Sequence, residues 1–145
     1  MSANTAHIHV GRLLEVRVAA GYRSVDDVTA VFQRVGHLVA KLPPGTKHVT
    51  VVDWRHCPLM APEAAEFLIA RMVGVNPGTE RSAAIARQDA PLSVLQFLRL
   101  IRDAGFSDRR LFYSEPELCS WLADVLSPAE SARLRAFLSE PIEPI

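Results

Sequence analysis

Hydrophobic and polar positions alternate with period two near the start of the chain. The alternation covers residues 7–10 and then residues 13–18, and the pair Gly11-Arg12 separates the two segments. Period two is typical of strands, and glycine can adopt the positive φ that the first central position of a type II′ turn requires. The pattern therefore predicts an antiparallel hairpin joined by a two-residue loop.

Helical spacing follows the hairpin. Six apolar residues recur at steps of three and four, after Ser24 as an N-cap and before a Pro-Pro-Gly stop. This spacing is typical of a helix with one apolar face. The six residues are Val25, Val28, Phe32, Val35, Val39 and Leu42.

Three further strand-like segments follow, at residues 48–54, 81–86 and 109–113, and a helical pattern follows each of them. Strands that alternate with helices form parallel sheets with covering helices. The predicted fold class is therefore α/β, with a mixed, mostly parallel sheet of about five strands that begins with the antiparallel hairpin. Four helices and a C-terminal helix are expected to cover it.

Start signals place the later helices. Pro62 and Pro91 suit first helical turns, because the N–H that proline lacks has no partner there, and Asp89 is predicted to cap the third helix. Ser114 and Ser127 each begin a Ser-x-x-Glu capping box, which predicts the starts of the last two helices. The apolar side of the third helix is expected to include Val94, Leu95, Leu98 and Ile101, with Phe97 beside them.

The length of 145 residues predicts a single domain over residues 1–145. Its core is expected at about 7–126, with a C-terminal helix at about 128–139 and a short frayed tail. Hydrophobic residues make up 49% of the chain, which argues against a disordered protein.

Composition excludes several classes of protein. Lys and Arg together number 16, as do Asp and Glu, whereas nucleic-acid binding needs a basic excess. No apolar run approaches the roughly 18 residues of a membrane span, and the N-terminus lacks the apolar core of a signal peptide. Cys57 and Cys119 are isolated, which argues against a disulfide scaffold or zinc module. We expect a cytoplasmic protein that binds no nucleic acid.

Several local sequences extend the pattern. They are LPPG after the first helix, HVTVVDW in the central strand, MAPEAAEFL at the second helix, and then RSAAIAR, RDAGF and RRLFYSEPELCSWL. With the opening hairpin, they resemble the SpoIIAA-like proteins of the STAS/CRAL-TRIO-like grouping, from about His7 to Leu126. The resemblance implies a STAS-like fold and a bacterial partner-binding domain.

The resemblance also bears on regulation. In bacterial STAS domains that antagonise anti-sigma factors, a serine or threonine at the helix start after the central strand is phosphorylated. Pro62 stands near that position here, so the resemblance implies a partner-binding loop without the phosphorylatable switch. Glu63 could supply a fixed negative charge, although a carboxylate at a helix start also stabilises the helix itself.

The best candidate site is the loop after the central strand, because open α/β sheets place ligands at the carboxyl ends of their strands. His56 beside Cys57 suggests a nucleophile, but adjacent residues rarely pair with good geometry, and no base or oxyanion site has a signature. We therefore assign no catalytic residue. The predicted partner-binding residues are Asp53, Trp54, Arg55, His56, Met60, Pro62 and Glu63.

A metal site is not expected. His7 and His9 share one face of a strand, but His37, His48 and His56 are scattered along the chain, so no set with metal-ligand spacing results. An exposed edge-strand face explains the first two histidines. We expect neither a metal nor another cofactor.

Three functions remain open. The leading one is a non-enzymatic protein-interaction module in bacterial signalling or regulation, with an unknown protein partner. The alternative is a carrier of a small apolar ligand or lipid, of the CRAL-TRIO-like type, which requires an enclosed pocket of roughly several hundred Å³. The third is an enzyme that uses His56 and Cys57. Apolar residues in the last two helices would also suit a homodimer contact.

Overall fold

The computed structural model describes residues 3–141, and within them a five-stranded sheet is covered by helices on both faces. The strands are β1 (Asn4–Ile8), β2 (Leu13–Val18), β3 (His48–Asp53), β4 (Thr79–Ile85) and β5 (Arg109–Phe112). The helices are α1 (Val25–Val39), α2 (Pro62–Val75), α3 (Pro91–Ala104), α4 (Glu115–Ala123) and α5 (Pro128–Ser139), with a short 3₁₀ turn at Asn76–Gly78.

The strands lie in the sheet in the same order as in the chain, β1-β2-β3-β4-β5. β1 pairs with β2 in antiparallel fashion, and all the other pairs are parallel. This confirms the predicted α/β class and its mixed sheet. From β2 to β5 each new strand is added on the same side of the previous one. Because crossovers between parallel strands are right-handed, the helices of these crossovers all lie on one face of the sheet, and they are α1, α2 and α3. The opposite face carries α4 and α5.

Two apolar cores result, one on each face of the sheet. In β2, Leu14 and Val16 face the first three helices, whereas Leu13 faces α4 and α5. In β3, Val49 and Val51 belong to the core under α4 and α5. Because both faces are covered, the central strands are buried almost throughout, as is usual for parallel sheets.

The hairpin loop is longer than predicted. β1 ends at Ile8, which pairs with Leu14, so the loop spans residues 9–12. The Leu13 N–H donates to the carbonyl of Val10 at 3.3 Å, and Gly11 has a φ of 57°. The positive φ at Gly11 is therefore confirmed, but the two-residue loop is wrong.

Three other predicted boundaries are wrong. α1 ends at Val39 instead of Leu42, since Pro43 disfavours helical backbone just before it. Ala90, and not Asp89, is the N-cap of α3, because the Asp89 carboxylate accepts hydrogen bonds from Arg87 at 2.8 and 3.0 Å. β4 begins at Thr79, two residues before the predicted start.

The serine caps are confirmed. Ser24, Ser114 and Ser127 each accept a hydrogen bond from the backbone N–H three residues later. At Ser127 the capping box is complete, because the Glu130 carboxylate accepts the Ser127 N–H at 2.8 Å. None of the helices in residues 3–141 is long and apolar enough to cross a membrane. The predicted frayed tail lies, from residue 142 onward, outside the described residues.

Candidate functional site

The loop between β3 and α2, residues 54–61, contains most of the predicted partner-binding residues, and part of it faces the protein interior. Trp54 and Met60 are buried, as is Asp53 at the end of β3. The Trp54 ring stacks on the ring of Phe97 with 4.5 Å between centroids. Three of the predicted residues therefore have side chains that are packed inside the molecule.

Asp53 is held by two arginines. Its carboxylate accepts hydrogen bonds from Arg17 at 3.1 Å and from the Arg55 side chain at 3.0 and 3.1 Å. Burial alone would raise the pKa of Asp53, but these hydrogen bonds outweigh it and lower the pKa. Arg55 also donates to Glu115 at 3.0 Å and to the Leu138 carbonyl at 2.9 Å. Arg55 thus ties the loop to α4 and α5.

The ion pairs continue across β2. Glu15 is only 1% exposed and accepts two hydrogen bonds from Arg133 of α5, at 2.7 and 2.8 Å. His9 Nδ1 lies 3.1 Å from the same carboxylate. Glu140 pairs with Arg133 at 3.0 Å and with Arg17 at 3.3 Å. Charged side chains therefore connect the sheet to the last helix.

We call these residues the charged layer. The sequence pattern did not reveal it, because charged residues at alternate strand positions usually face solvent. The available signal is the length of the chain after the last strand, which supplies two helices that must pack on a face of the sheet. The members of the charged layer are Glu15, Arg17, Asp53, Arg55, Arg133 and Glu140.

Cys57 and His56 lie in different environments. Cys57 is buried, and its thiol donates to the Pro58 carbonyl at 3.4 Å, whereas His56 is exposed. Burial raises the pKa of the Cys57 thiol to about 12. Because the thiolate is the nucleophilic form of cysteine, Cys57 is not activated for nucleophilic chemistry at neutral pH.

Two hydrogen bonds clamp the loop against α3. Gln96 accepts the Met60 N–H at 2.8 Å and donates to the Met60 carbonyl at 3.1 Å. Leu59 precedes Met60, and Leu95 precedes Gln96, so the clamp brings these leucines to the same edge of the sheet. Pro62 and Glu63, at the start of α2, lie at this edge too and are exposed.

This edge exposes large apolar side chains, which we call the leucine patch: Leu59, Leu92 and Leu95, exposed by 52%, 65% and 64%. The apolar side predicted for the third helix is not its buried side, because Leu95 and Leu98 are exposed. α3 instead buries Phe97, Leu100 and Ala104. Leucines occur around most of the circumference of α3, so apolar spacing alone did not identify its buried side.

A wide groove of about 840 Å³ opens at the same edge of the sheet, on the side of α4 and α5. Arg55, Tyr113 and Arg135 contribute to its lining. Tyr113 is itself exposed, so this edge combines aromatic and cationic groups with the leucine patch across the sheet.

The strand order removes the reason for expecting a ligand crevice after β3. Such crevices form where the order of strands reverses and neighbouring crossover helices leave to opposite faces. Here the strand order does not reverse, and α1, α2 and α3 share one face. The carboxyl edge of this sheet therefore offers a surface rather than a crevice between diverging helices.

A cavity of about 70 Å³ lies between the sheet and the helices α1 and α2. Most of its lining is apolar and includes Val16, Val31, Leu68 and Met72. This volume is smaller than the several hundred Å³ that the lipid-carrier hypothesis requires. The cavity in this structure can therefore hold only a much smaller molecule than a lipid.

His7 and His9 lie side by side at the edge of the sheet, with 5.1 Å between ring centroids, and both are exposed. Over residues 3–141, no three His, Cys, Asp or Glu side chains are grouped so that they could hold a metal ion. His9 instead contacts Glu15 of the charged layer.

No family model matches the chain, and neither the curated proteins nor the solved structures give a match.

Proposed function

We propose that this chain is a non-enzymatic protein-interaction module of bacterial signalling or regulation, STAS-like but without the phosphorylatable switch. The observation that carries the proposal is the leucine patch, in which Leu59, Leu92 and Leu95 each expose more than half of their surface. Clustered exposed apolar side chains with polar neighbours are typical of surfaces that bind other proteins.

The energetics favour a partner at this surface. Covering a side chain exposed to this extent is worth about 1 kcal/mol or more for each leucine. The Gln96 clamp on Met60 already orders the loop that carries Leu59, so that binding loses less conformational freedom. The patch is therefore suited to association with an apolar surface of another protein.

The start of α2 supports binding without phosphorylation. Ala61 is the N-cap and Pro62 the first helical residue, so neither offers a hydroxyl group. Glu63 follows with a fixed negative charge in the first turn. A partner would therefore present an apolar surface to the leucine patch and a basic residue to Glu63.

The test compares two surface changes. The double variant Leu92→Asp/Leu95→Asp places charges in the patch, and Val73→Asp places one at an exposed site nearer the other end of α2. A photo-crosslinking residue at Leu59 would be used to capture the partner in an extract of the source organism. We expect the double variant to lose capture of the partner and Val73→Asp to retain it, because only the double variant changes the leucine patch. Both variants change exposed positions and should keep the fold, which circular dichroism would check.

Equal capture by the two variants would contradict the proposal. A mass of two chains in light scattering, reduced to one by Leu92→Asp/Leu95→Asp, would instead assign the patch to a homodimer. Charge reversal at Arg55 is a poor test of partner binding, since Arg55 donates hydrogen bonds to Asp53 and Glu115 and its replacement would disturb the fold itself. Glu63→Lys is the better charge reversal, because Glu63 is exposed.

A further inference from the structure

A buried arginine that has no carboxylate partner among the described residues lies far from the leucine patch, at the amino end of the parallel strands. Arg109 is the first residue of β5 and is 7% exposed. Within residues 3–141 its Nη1 atom has no hydrogen-bond partner. The ring of Phe106 lies 5.3 Å from its Cζ atom. By contrast, Arg17 and Arg55 both pair with carboxylates.

Arg109 stays charged at neutral pH. Burial lowers the pKa of its guanidinium to about 10, which is still well above neutrality. Buried charges in proteins are almost always paired or hydrogen-bonded, because an isolated ion loses its hydration without compensation. A positive charge held in this position therefore favours an anion beside it.

Arg109 lines the cavity under α1 and α2 that was described above. His48, Thr50, Thr79 and Ser82 line the cavity too, and they come from the same end of the strands. The rest of the lining is mainly apolar, so the cavity has a polar end and an apolar body.

Three of these neighbouring side chains, those of His48, Thr50 and Thr79, already have hydrogen-bond partners. The Thr79 hydroxyl donates to the Val75 carbonyl at 2.8 Å, so it can only accept from His48 Nε2, which lies 3.5 Å away. His48 Nδ1 then accepts from the Thr50 hydroxyl at 3.0 Å. These bonds are consistent with a neutral His48. The unpartnered positive donor at this end of the cavity is Arg109.

A surface groove of about 500 Å³ between the C-terminal halves of α1 and α2 leads towards this cavity. Gly36 and Gly74 line the groove, one on each helix, and a Cβ atom on either would meet nothing within 4 Å. Glycine weakens a helix interior, and here its effect is to widen the groove. The residues that line both groove and cavity are Phe32, Val35, His48 and Val75.

We propose that the cavity binds a small monocarboxylate, whose carboxylate pairs with Arg109 and whose hydrocarbon part lies against the apolar lining. The ligand enters through the groove between α1 and α2. A cavity of 70 Å³ has room for about five to seven water-sized groups, and an acid of roughly four carbons has a number of non-hydrogen atoms within that range. This site is independent of the leucine patch.

The binding test uses Trp54, which lines the cavity, as a fluorescent probe. The chain has two tryptophans, and Trp121→Phe removes the other one, which packs on the opposite face of the sheet. Butyrate is the probe ligand, and butyramide is its neutral control. We expect a saturable change in Trp54 fluorescence with butyrate, and affinity for butyramide lower by about tenfold or more, because hydrogen bonds to charged groups are the stronger ones.

Two arginine variants test the anchor. Arg109→Met should weaken butyrate binding by about tenfold or more. Arg110→Met changes the exposed neighbour on β5 and should leave it unchanged. Arg109→Met should also keep or raise the Tm, because an apolar side chain replaces a buried unpaired charge. Butyrate binding to Arg109→Met as tight as to the parent protein would overturn the proposal, as would equal binding of butyrate and butyramide.

The entry route has a separate variant. Gly74→Leu narrows the groove without touching Arg109, so we expect butyrate to associate more slowly in stopped-flow fluorescence. Competition with chloride tests whether the site binds inorganic anions instead of carboxylates. If chloride displaces butyrate at equal concentration, the site is one for inorganic anions and the carboxylate proposal fails.

Discussion

His48 shows how the surroundings of a single side chain set its chemistry. It is 3% exposed at the start of β3, and burial lowers its pKa to about 4, with Arg109 and Arg12 adding to the effect. Its hydrogen bonds with Thr50 and Thr79 suit the neutral ring. Folding therefore excludes the proton that an exposed histidine would take up in mildly acidic solution.

We expect this exclusion to make stability depend on pH. Between the ordinary pKa of 6.5 and the folded value of about 4, the unfolded chain binds a proton that the folded chain does not. The contribution of His48 to the free energy of unfolding is therefore fully present above pH 6.5. It decreases as the pH falls from 6.5 to 4, by about 3 kcal/mol in total. His48→Gln should remove this part of the pH dependence.

Urea unfolding of both proteins at several pH values would measure the difference. The carboxylates titrate in both proteins, so their contribution cancels in the comparison. Free energies of unfolding that fall in parallel for the two proteins across this range would contradict the prediction.

At the scale of elements, the start of α5 is the best-defined helix end. Ser127 accepts the Glu130 N–H at 3.1 Å, and the Glu130 carboxylate accepts the Ser127 N–H at 2.8 Å. Glu130 also accepts the Arg12 N–H at 2.8 Å, which connects the helix start to the hairpin loop. This one carboxylate therefore stabilises two elements.

Ser127→Ala is expected to lower the free energy of unfolding by about 1 kcal/mol, because the Glu130 N–H loses the hydroxyl that caps it. Ser114→Ala should cost less, since its cap bond is longer, at 3.4 Å. Ser120→Ala is the control, at an exposed position within α4 where alanine suits the helix. An equal effect of the changes at Ser127 and Ser120 in urea unfolding would rule out the capping role.

The caps could be predicted because they involve residues three positions apart. β1 could not be placed in the same way. Asn4 is fixed by hydrogen bonds with Ala20 and Gly21, both at 2.9 Å, and these partners lie 16 and 17 residues away in the chain. The alternation of residues 7–10 suggested a strand, but the strand that pairs with β2 starts three residues earlier and ends two residues earlier. Contacts between distant residues outweighed the local pattern.

For the whole molecule, the two faces of the sheet are held in different ways. The face under α1, α2 and α3 is apolar except around the polar end of the cavity, whereas the face under α5 includes the charged layer. Glu15 and Arg133 are separated by 118 residues, so no local pattern indicates that they pair. The layered fold could be predicted from the period of the apolar residues and the order of strands and helices. The residues that pair between the sheet and its helices could not be predicted in this way.

We expect the pair between Glu15 and Arg133 to be strongly coupled. Arg133→Leu leaves a buried carboxylate without its main partner, which should cost about 3 kcal/mol or more. Glu15→Leu/Arg133→Leu should cost clearly less than the sum of the two single changes, with a coupling energy of about 1–3 kcal/mol from urea unfolding.

The control is the exposed pair between Arg99 and Glu66, which joins α3 to α2 at 2.6 Å. Its coupling should be below about 1 kcal/mol, because solvent screens exposed charges. Additive effects of the changes at Glu15 and Arg133, within error, would contradict the prediction and would mean that this pair does not help to hold α5 on the sheet.

The order of the strands also affects how the chain can assemble during synthesis. When each parallel strand is synthesised, the strand that it pairs with in the sheet has already been synthesised. By contrast, α5 is synthesised last, and only then can it pack on β2. Until then Glu15, Arg17 and Asp53 are open to water. A nascent sheet that exposes charged, hydrated side chains on its uncovered face is less prone to aggregate with other unfolded chains than a sheet whose uncovered face is wholly apolar.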